Sequence, residues 1–179
     1  MDRGDSVVVE VLDRAADHRS GSVSDHAGVT PVLTTVYLAH PYSEKEYVER
    51  IFQPRLETAG VRVINPFIRP EQAAYERKMA AAGGANKGLD DRDCADIVIR
   101  DLAKIDRSDA IVAALMADNM IGTLMEIFYC AHVTGKPVFA WTPRQREQDS
   151  PWIRYHAITE STQPALIKRV QDWAHARAR

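Results

Sequence analysis

The chain has 179 residues, 45% of them hydrophobic, and a formal net charge of −2, as is typical of globular proteins. This charge argues against binding a nucleic acid polymer, because a phosphate backbone requires a basic field. No run reaches the roughly 20 apolar residues of a membrane span, and no signal-peptide layout is present. The two cysteines, Cys94 and Cys130, are too few for a disulfide framework. We therefore expect a cytoplasmic protein without membrane contact.

The first 30 residues differ from the rest of the chain. Residues 1–30 are polar and rich in Ser, Gly and Asp, which predicts a flexible N-terminal arm. Within it, Val7–Leu12 is a candidate edge strand. We expect residues 31–179 to form a single domain.

Apolar and β-branched runs alternate with helical patterns through this domain. The predicted strands are Val32–Ala39, Val61–Phe67, Asp109–Leu115, Lys136–Thr142 and a short fifth strand at 155–159. The predicted helices are 43–60, kinked or divided at Pro54, then Glu71–Ala82, Ala95–Asp106, Leu124–Thr134 and 162–179. This alternation predicts an α/β fold, a mainly parallel five-stranded sheet between two helical layers.

Ligands of open α/β sheets bind outside the carboxyl ends of the strands. His40, Tyr42 and Ser43 follow the first predicted strand, and Tyr37 lies within it. His40 and Tyr42 are either ordinary loop residues or ligand contacts, and packing is the default role of Tyr37. Ser43 is a good helix N-cap, and a phosphate at that helix start is the alternative. The histidines form no spaced cluster, so we predict no metal site.

Glu126 has two interpretations. With Thr123 it fits a capping box, in which Thr123 is the N-cap and Glu126 lies three positions into the helix. Alternatively, a carboxylate at a helix N-terminus beside the ligand crevice keeps a depressed pKa and acts as an ionised nucleophile.

Asp101 also has two interpretations. It is either a surface carboxylate paired with Lys104 at i+3, or a member of a carboxylate pair with Glu126. Two carboxylates on opposite sides of a crevice suit glycosidic chemistry, in which one attacks or stabilises the anomeric carbon and the other handles the leaving group.

Four ordered segments of the chain resemble nucleoside 2-deoxyribosyltransferase-like proteins. They are VYLAHPYS, AGVRVINP, IRDLAKIDRSDAIVAAL and GTLMEIFYCAHVTGKPVFAW, which together extend over residues 36–141. The resemblance implies a flavodoxin-like sheet and no metal or organic cofactor. It also implies a homo-oligomer whose subunits share active-site residues, with the final helix and Trp141–Trp152 as candidate contact regions.

The resemblance also implies roles for individual residues. Glu126 matches the nucleophile that forms a covalent deoxyribosyl-enzyme, and Asp101 matches the carboxylate that handles the departing or arriving base. Tyr37 resembles the tyrosine of the first strand that lies near the sugar and the nucleophile.

The family often has an acid just before the pair that corresponds to Gly122 and Thr123. Here the register offers Asp118, Asn119 or Met120, and Asn119 is the candidate for binding a sugar hydroxyl without contributing charge.

The resemblance thus implies that a small-molecule nucleoside or nucleotide is the partner. The expected reaction cleaves the N-glycosidic bond of a 2′-deoxynucleoside and transfers the deoxyribosyl group to another nucleobase. One alternative is a 2′-deoxynucleoside 5′-monophosphate N-hydrolase. That sister group has a Gly-rich phosphate loop after the first strand, where this chain has AHPYSEKE, and only Ser43 favours it. A non-catalytic nucleotide-binding module of the same fold is the other alternative.

Overall fold

The computed structural model of the protein describes residues 33–70, 72–84 and 87–178. The predicted arm at 1–30 and the candidate edge strand Val7–Leu12 lie outside the described residues.

Five short strands form the central sheet. They are β1 (Thr35–Ala39), β2 (Arg62–Ile64), β3 (Ala110–Ala114), β4 (Val138–Trp141) and β5 (Ile158–Glu160). All neighbouring strands pair in parallel, in the order β2-β1-β3-β4-β5. This order is that of a flavodoxin-like sheet and confirms the predicted fold class. Its switch point, where a ligand crevice is expected, lies between β1 and β3.

Eight α-helical segments connect or flank the strands of the described chain. They are α1 (Lys45–Tyr47), α2 (Gln53–Glu57), α3 (Gln72–Ala81), α4 (Asp91–Asp106), α5 (Ile121–Phe128), α6 (Gln145–Asp149), α7 (Pro151–His156) and α8 (Gln163–Arg177). A π-helical turn, Val48–Phe52, joins α1 to α2, and Pro54 lies in the first turn of α2. The helical run continues through Pro54, so the chain is not divided there. The π-helical turn directly before α2 is the departure from regular α-helical geometry, which agrees with a proline that has no N–H to donate.

Alternating side chains of the strands fill two cores, one on each face of the sheet. Val36 and Leu38 of β1 pack in the core that also contains Leu166 and Val170 of α8. Tyr37 points to the opposite core, which contains Ile105 of α4 and Ile127 of α5 among others. Both faces are therefore covered, and Tyr37 projects toward the layer that carries α4 and α5.

The predictions for the start of the fifth strand and for the start of α4 are wrong. Tyr155 and His156, predicted to begin the fifth strand, belong to α7, and the strand starts at Ile158. Pro151 begins α7, in agreement with the preference of proline for the first helical turn. In addition, α4 starts at Asp91 rather than at the predicted Ala95.

The early start of α4 has a clear cause. Asp90 is its N-cap and accepts from the backbone N–H of Asp93, while the Asp93 carboxylate accepts from the backbone N–H of Asp90. This capping box satisfies two backbone donors that the helix end would otherwise leave unpaired.

Within the described ranges, no helix combines the length and the apolar character that crossing a membrane requires.

Candidate functional site

Tyr37 and Glu126 form the direct contact at the centre of the site. The hydroxyl of Tyr37, which is fully buried, donates a hydrogen bond of 2.6 Å to Oε1 of Glu126. The contact links the middle of β1 to α5 across 89 positions of sequence. Oε2 of Glu126 accepts no hydrogen bond from the described residues, so one oxygen is held and the other is free.

The capping box predicted for Thr123 and Glu126 is wrong. Helix α5 begins at Ile121, its N-cap is Met120, and no side chain caps it. Thr123 therefore lies inside the helix, where its side chain is buried. Glu126 lies one turn further along and faces Tyr37, which leaves its carboxyl group available for a role other than capping.

The prediction of a depressed pKa for Glu126 is also wrong. Burial raises the pKa of Glu126 from its ordinary 4.5 to about 8, and the negative charge of Asp101 adds to this effect. The hydrogen bond from Tyr37 and the charge of Lys104 act in the opposite direction. At neutral pH the carboxyl group therefore carries a proton for most of the time.

Tyr37 remains a hydrogen-bond donor over the whole physiological range. Burial, followed by the charges of Glu126 and Asp101, raises the pKa of its hydroxyl well above the ordinary value of 10.0. The phenol is therefore neutral, and it can keep Oε1 of Glu126 in one position.

Asp101 lies on α4 and is 8% exposed. Its Oδ1 accepts a hydrogen bond of 3.2 Å from Nζ of Lys104 and lies 3.8 Å from Nη1 of Arg69. The predicted pair with Lys104 is thus confirmed, but the predicted surface location is wrong. Burial raises the pKa of Asp101 above 3.8, while the charges of Lys104 and Arg69 oppose this rise.

A small aromatic group follows β1 and β2. His40 is buried and meets the ring of Phe67 edge-on at 4.8 Å, and Tyr42 meets the same ring at 5.6 Å. Nδ1 of His40 donates to the carbonyl of Pro41, while its Nε2 is buried without a hydrogen-bond partner. Burial lowers the pKa of His40 to about 4, so the imidazole is neutral.

The other predicted site residues make fewer contacts. Ser43 is exposed within a 3₁₀ turn whose N-cap is Pro41, so the prediction that Ser43 caps a helix is wrong. Asn119 is exposed before α5. Gly122 is exposed as well, and a Cβ added to it would meet no atom within 4 Å, so the space around it is open.

Arg69 and Phe67 are the residues that sequence reasoning missed. Both lie beyond the carboxyl end of β2, in the segment NPFIRP, on the side of the sheet where ligands bind. Arg69 lies five residues after the end of β2 and reaches Asp101. An arginine close behind a strand end was the available signal.

A groove of about 440 Å³ lies apart from this constellation. It is lined by Phe128, His132, Pro151, Trp152, Tyr155 and His156. None of the predicted site residues lines this groove, so the groove is not evidence for the candidate catalytic carboxyl groups. Among the described residues, no group of three or more His, Cys, Asp or Glu side chains is arranged to hold a metal ion.

Neither the known protein families nor the curated protein sequences contain a match to the chain. Solved structures do match. A 2-deoxyribosyltransferase from Bacillus psychrosaccharolyticus is 19% identical with a TM-score of 0.55, and the match covers 81% of this chain and 96% of that chain. A conserved protein from Enterococcus faecalis is 17% identical with a TM-score of 0.51, over 78% and 98% of the two chains.

A CMP N-glycosidase from Clostridium botulinum is 20% identical with a TM-score of 0.47, over 78% of this chain and 99% of that chain. At these identities, the first two similarities establish a shared three-layer fold.

Proposed function

We propose that the protein cleaves the N-glycosidic bond of a 2′-deoxynucleoside and transfers the deoxyribosyl group to another nucleobase. The observation that carries this proposal is the Glu126 carboxyl group, held at Oε1 by Tyr37 and influenced by the charge of Asp101. One fixed carboxyl group beside a second is the arrangement that glycosidic chemistry requires. The structural similarity to a 2-deoxyribosyltransferase is in accord with it.

In the first half-reaction, Oε2 of Glu126 attacks C1′ of the sugar and the bond from C1′ to the base nitrogen breaks. We assign the starting proton to Glu126, whose pKa is about 8, and leave Asp101 ionised because Lys104 and Arg69 both face its Oδ1. The proton that leaves Glu126 passes to Asp101, and Asp101 delivers it to the departing base. The products are the deoxyribosyl ester of Glu126, the neutral base and an ionised Asp101, so atoms and charge balance.

In the second half-reaction, an incoming base attacks C1′ of the deoxyribosyl ester, and Asp101 accepts the proton that this base loses. Two displacements at the same carbon give retention of configuration. Attack by water at this stage would make the protein a hydrolase, with the same two carboxyl groups in the same roles.

The distribution of charge favours a nucleoside over a 5′-monophosphate. A phosphate group requires free cations, but Lys45, Arg69 and Arg144, which follow β1, β2 and β4, each pair with a carboxylate. Ser43, the residue that favoured the nucleotide alternative, caps no helix. A neutral 5′-hydroxyl therefore suits the described residues better than a dianion does.

The proposal includes a homo-oligomer. Large apolar side chains are exposed on α4, α5 and α7, and a neighbouring subunit that covered them would remove them from water. They are Val98, Ile99, Ile121, Leu124, Met125, Trp152 and Tyr155. The predicted final helix, by contrast, buries Leu166 and Val170 in the core.

The test is chromatography of 2′-deoxynucleosides incubated with the protein, with and without a second free base. We expect a new nucleoside only when the acceptor base is present, and its loss in Glu126→Gln. Glu57→Gln, an identical change on the exposed face of α2, is the matched control and should retain the activity.

If free base is released without an acceptor, the reaction is hydrolysis rather than transfer. In that case 5′-monophosphates would be tested next. No turnover of any of these compounds would contradict the proposed function.

A further inference from the structure

Arg69 is a buried cation, and one of its nitrogens, Nη1, is buried without a hydrogen-bond partner. Its side chain is 7% exposed, Nε donates to Oε1 of Gln72, and the guanidinium lies 5.1 Å from the centre of the Tyr75 ring. Nη1 is fully enclosed, makes no hydrogen bond and lies 3.8 Å from Oδ1 of Asp101. Burying a charge in this way is costly, and the paired carboxylate compensates for it.

Arg69 and Lys104 approach the same oxygen of Asp101. Both are closest to Oδ1, and Nζ of Lys104 is also fixed by the carbonyl oxygen of Pro66 at 3.0 Å. Oδ2 accepts no hydrogen bond from the described residues, and it is not among the enclosed oxygen atoms that lack a partner. The two oxygens of Asp101 therefore have different environments.

We propose that Arg69 is a positioning residue for Asp101. Together with Lys104 it anchors Oδ1 and holds the carboxylate as an anion, which leaves Oδ2 as the oxygen that exchanges a proton with the nucleobase. This inference rests on the proposed function, because it assigns Asp101 to the proton transfer of that reaction.

Four charged or titratable groups face Asp101 from the elements around it. Arg69 approaches from the segment after β2, Lys104 from α4, Tyr37 from β1 and Glu126 from α5. Arg69 lowers the pKa of Asp101 and of Tyr37, whereas Lys104 lowers the pKa of both carboxyl groups. The two cations therefore have separable effects on the pair.

The active form of the pair carries one proton, so kcat/KM should follow a bell-shaped pH profile. The acid limb reports loss of the first proton, mainly from Asp101, and the alkaline limb reports loss of the second, mainly from Glu126. Arg69→Met should move the acid limb upward by about one pH unit and leave the alkaline limb in place. Lys104→Met should move both limbs upward.

The experiment compares these profiles with those of Arg69→Lys and of Arg50→Met. Arg69→Lys retains a charge, so its acid limb should lie close to the pH of the wild-type limb. Arg50→Met is the control, because Arg50 is an exposed arginine that pairs with Glu46 and is far in sequence from Asp101 and Glu126. An unchanged acid limb in Arg69→Met, or equal movement of both limbs, would overturn the inference.

A second measurement does not depend on turnover. The side-chain carboxyl carbon of Asp101, assigned with Asp101→Asn, can be titrated by ¹³C NMR in the wild type and in Arg69→Met. An upward shift of its titration midpoint supports the inference even if no deoxynucleoside is a substrate. An unchanged midpoint in an active enzyme refutes the role of Arg69 and leaves the proposed function intact.

Discussion

Replacing Glu126 by Gln should change how the stability of the protein depends on pH. In the folded protein the pKa of Glu126 is about 8, against 4.5 for the exposed group. Between these two pH values the unfolded chain releases the proton while the folded protein retains it, so the free energy of unfolding falls as pH rises. The neutral amide of the Glu126→Gln variant makes no such contribution.

The size of the effect follows from the two pKa values. Each pKa unit corresponds to about 1.36 kcal/mol, so the full difference gives an upper bound of about 5 kcal/mol at pH 9. Glu126 is half-buried as a whole residue, and its remaining contact with water reduces the effect. We therefore expect the raised pKa of Glu126 to cost the wild type about 2–4 kcal/mol of unfolding free energy at pH 9, relative to Glu126→Gln. At pH 4 this contribution should be much smaller.

The assay is urea denaturation of the wild type, Glu126→Gln and Glu57→Gln at pH 4 and pH 9. The prediction is that Glu126→Gln is less destabilised by the rise in pH than the wild type, while Glu57→Gln follows the wild type. If the wild type and Glu126→Gln change in parallel, burial does not hold a proton on Glu126, and the proton-transfer scheme fails with it.

Three further predictions follow from the same contacts. Tyr37→Phe removes a hydrogen bond to the neutral carboxyl group of Glu126 worth about 0.5–1.5 kcal/mol, so kcat should fall roughly 2- to 10-fold and the alkaline limb of the pH profile should move upward. Tyr129→Phe, which removes a surface bond to an aspartate on α4, is the control and should leave both unchanged. Asp90→Ala removes the N-cap of α4 and should lower the free energy of unfolding by about 1 kcal/mol in urea denaturation, and an unchanged midpoint would contradict the capping role. Finally, 2′-deoxynucleosides should exceed the matching ribonucleosides in kcat/KM by at least about tenfold, measured by base release or exchange, because a 2′-hydroxyl destabilises an oxocarbenium-like transition state.

The strands were predictable because apolar β-branched runs bounded by Pro or Gly have few other uses in a domain of this size. The helix at 145–149 was not predicted, because its sequence QREQD is polar and has the composition of a surface loop. The start of α5 was misplaced because Thr123 and Glu126 have the spacing of a capping box, and only the tertiary contact with Tyr37 shows where the carboxyl group points.

The electrostatics of the site could not be predicted from local sequence. A helix N-terminus suggested a low pKa for Glu126, but burial against β1 has the larger effect and the opposite sign. Arg69 and Asp101 are far apart in the sequence, and nothing in either segment indicates that they meet. The sequence thus singled out Glu126 and Asp101 as candidates, and the fold was needed to show that burial raises the pKa of both.

The central claim is that Glu126 becomes covalently attached to the sugar, and mass spectrometry of the peptides of the quenched protein tests it most directly. The protein would be mixed with a 2′-deoxynucleoside, quenched with acid in the absence of an acceptor base, and digested for peptide mapping. We predict a deoxyribosyl adduct on the peptide that contains Glu126, absent from Glu126→Gln and discharged when an acceptor base is added before the quench. Turnover of the nucleoside without any adduct, or an adduct on another residue, would contradict the account.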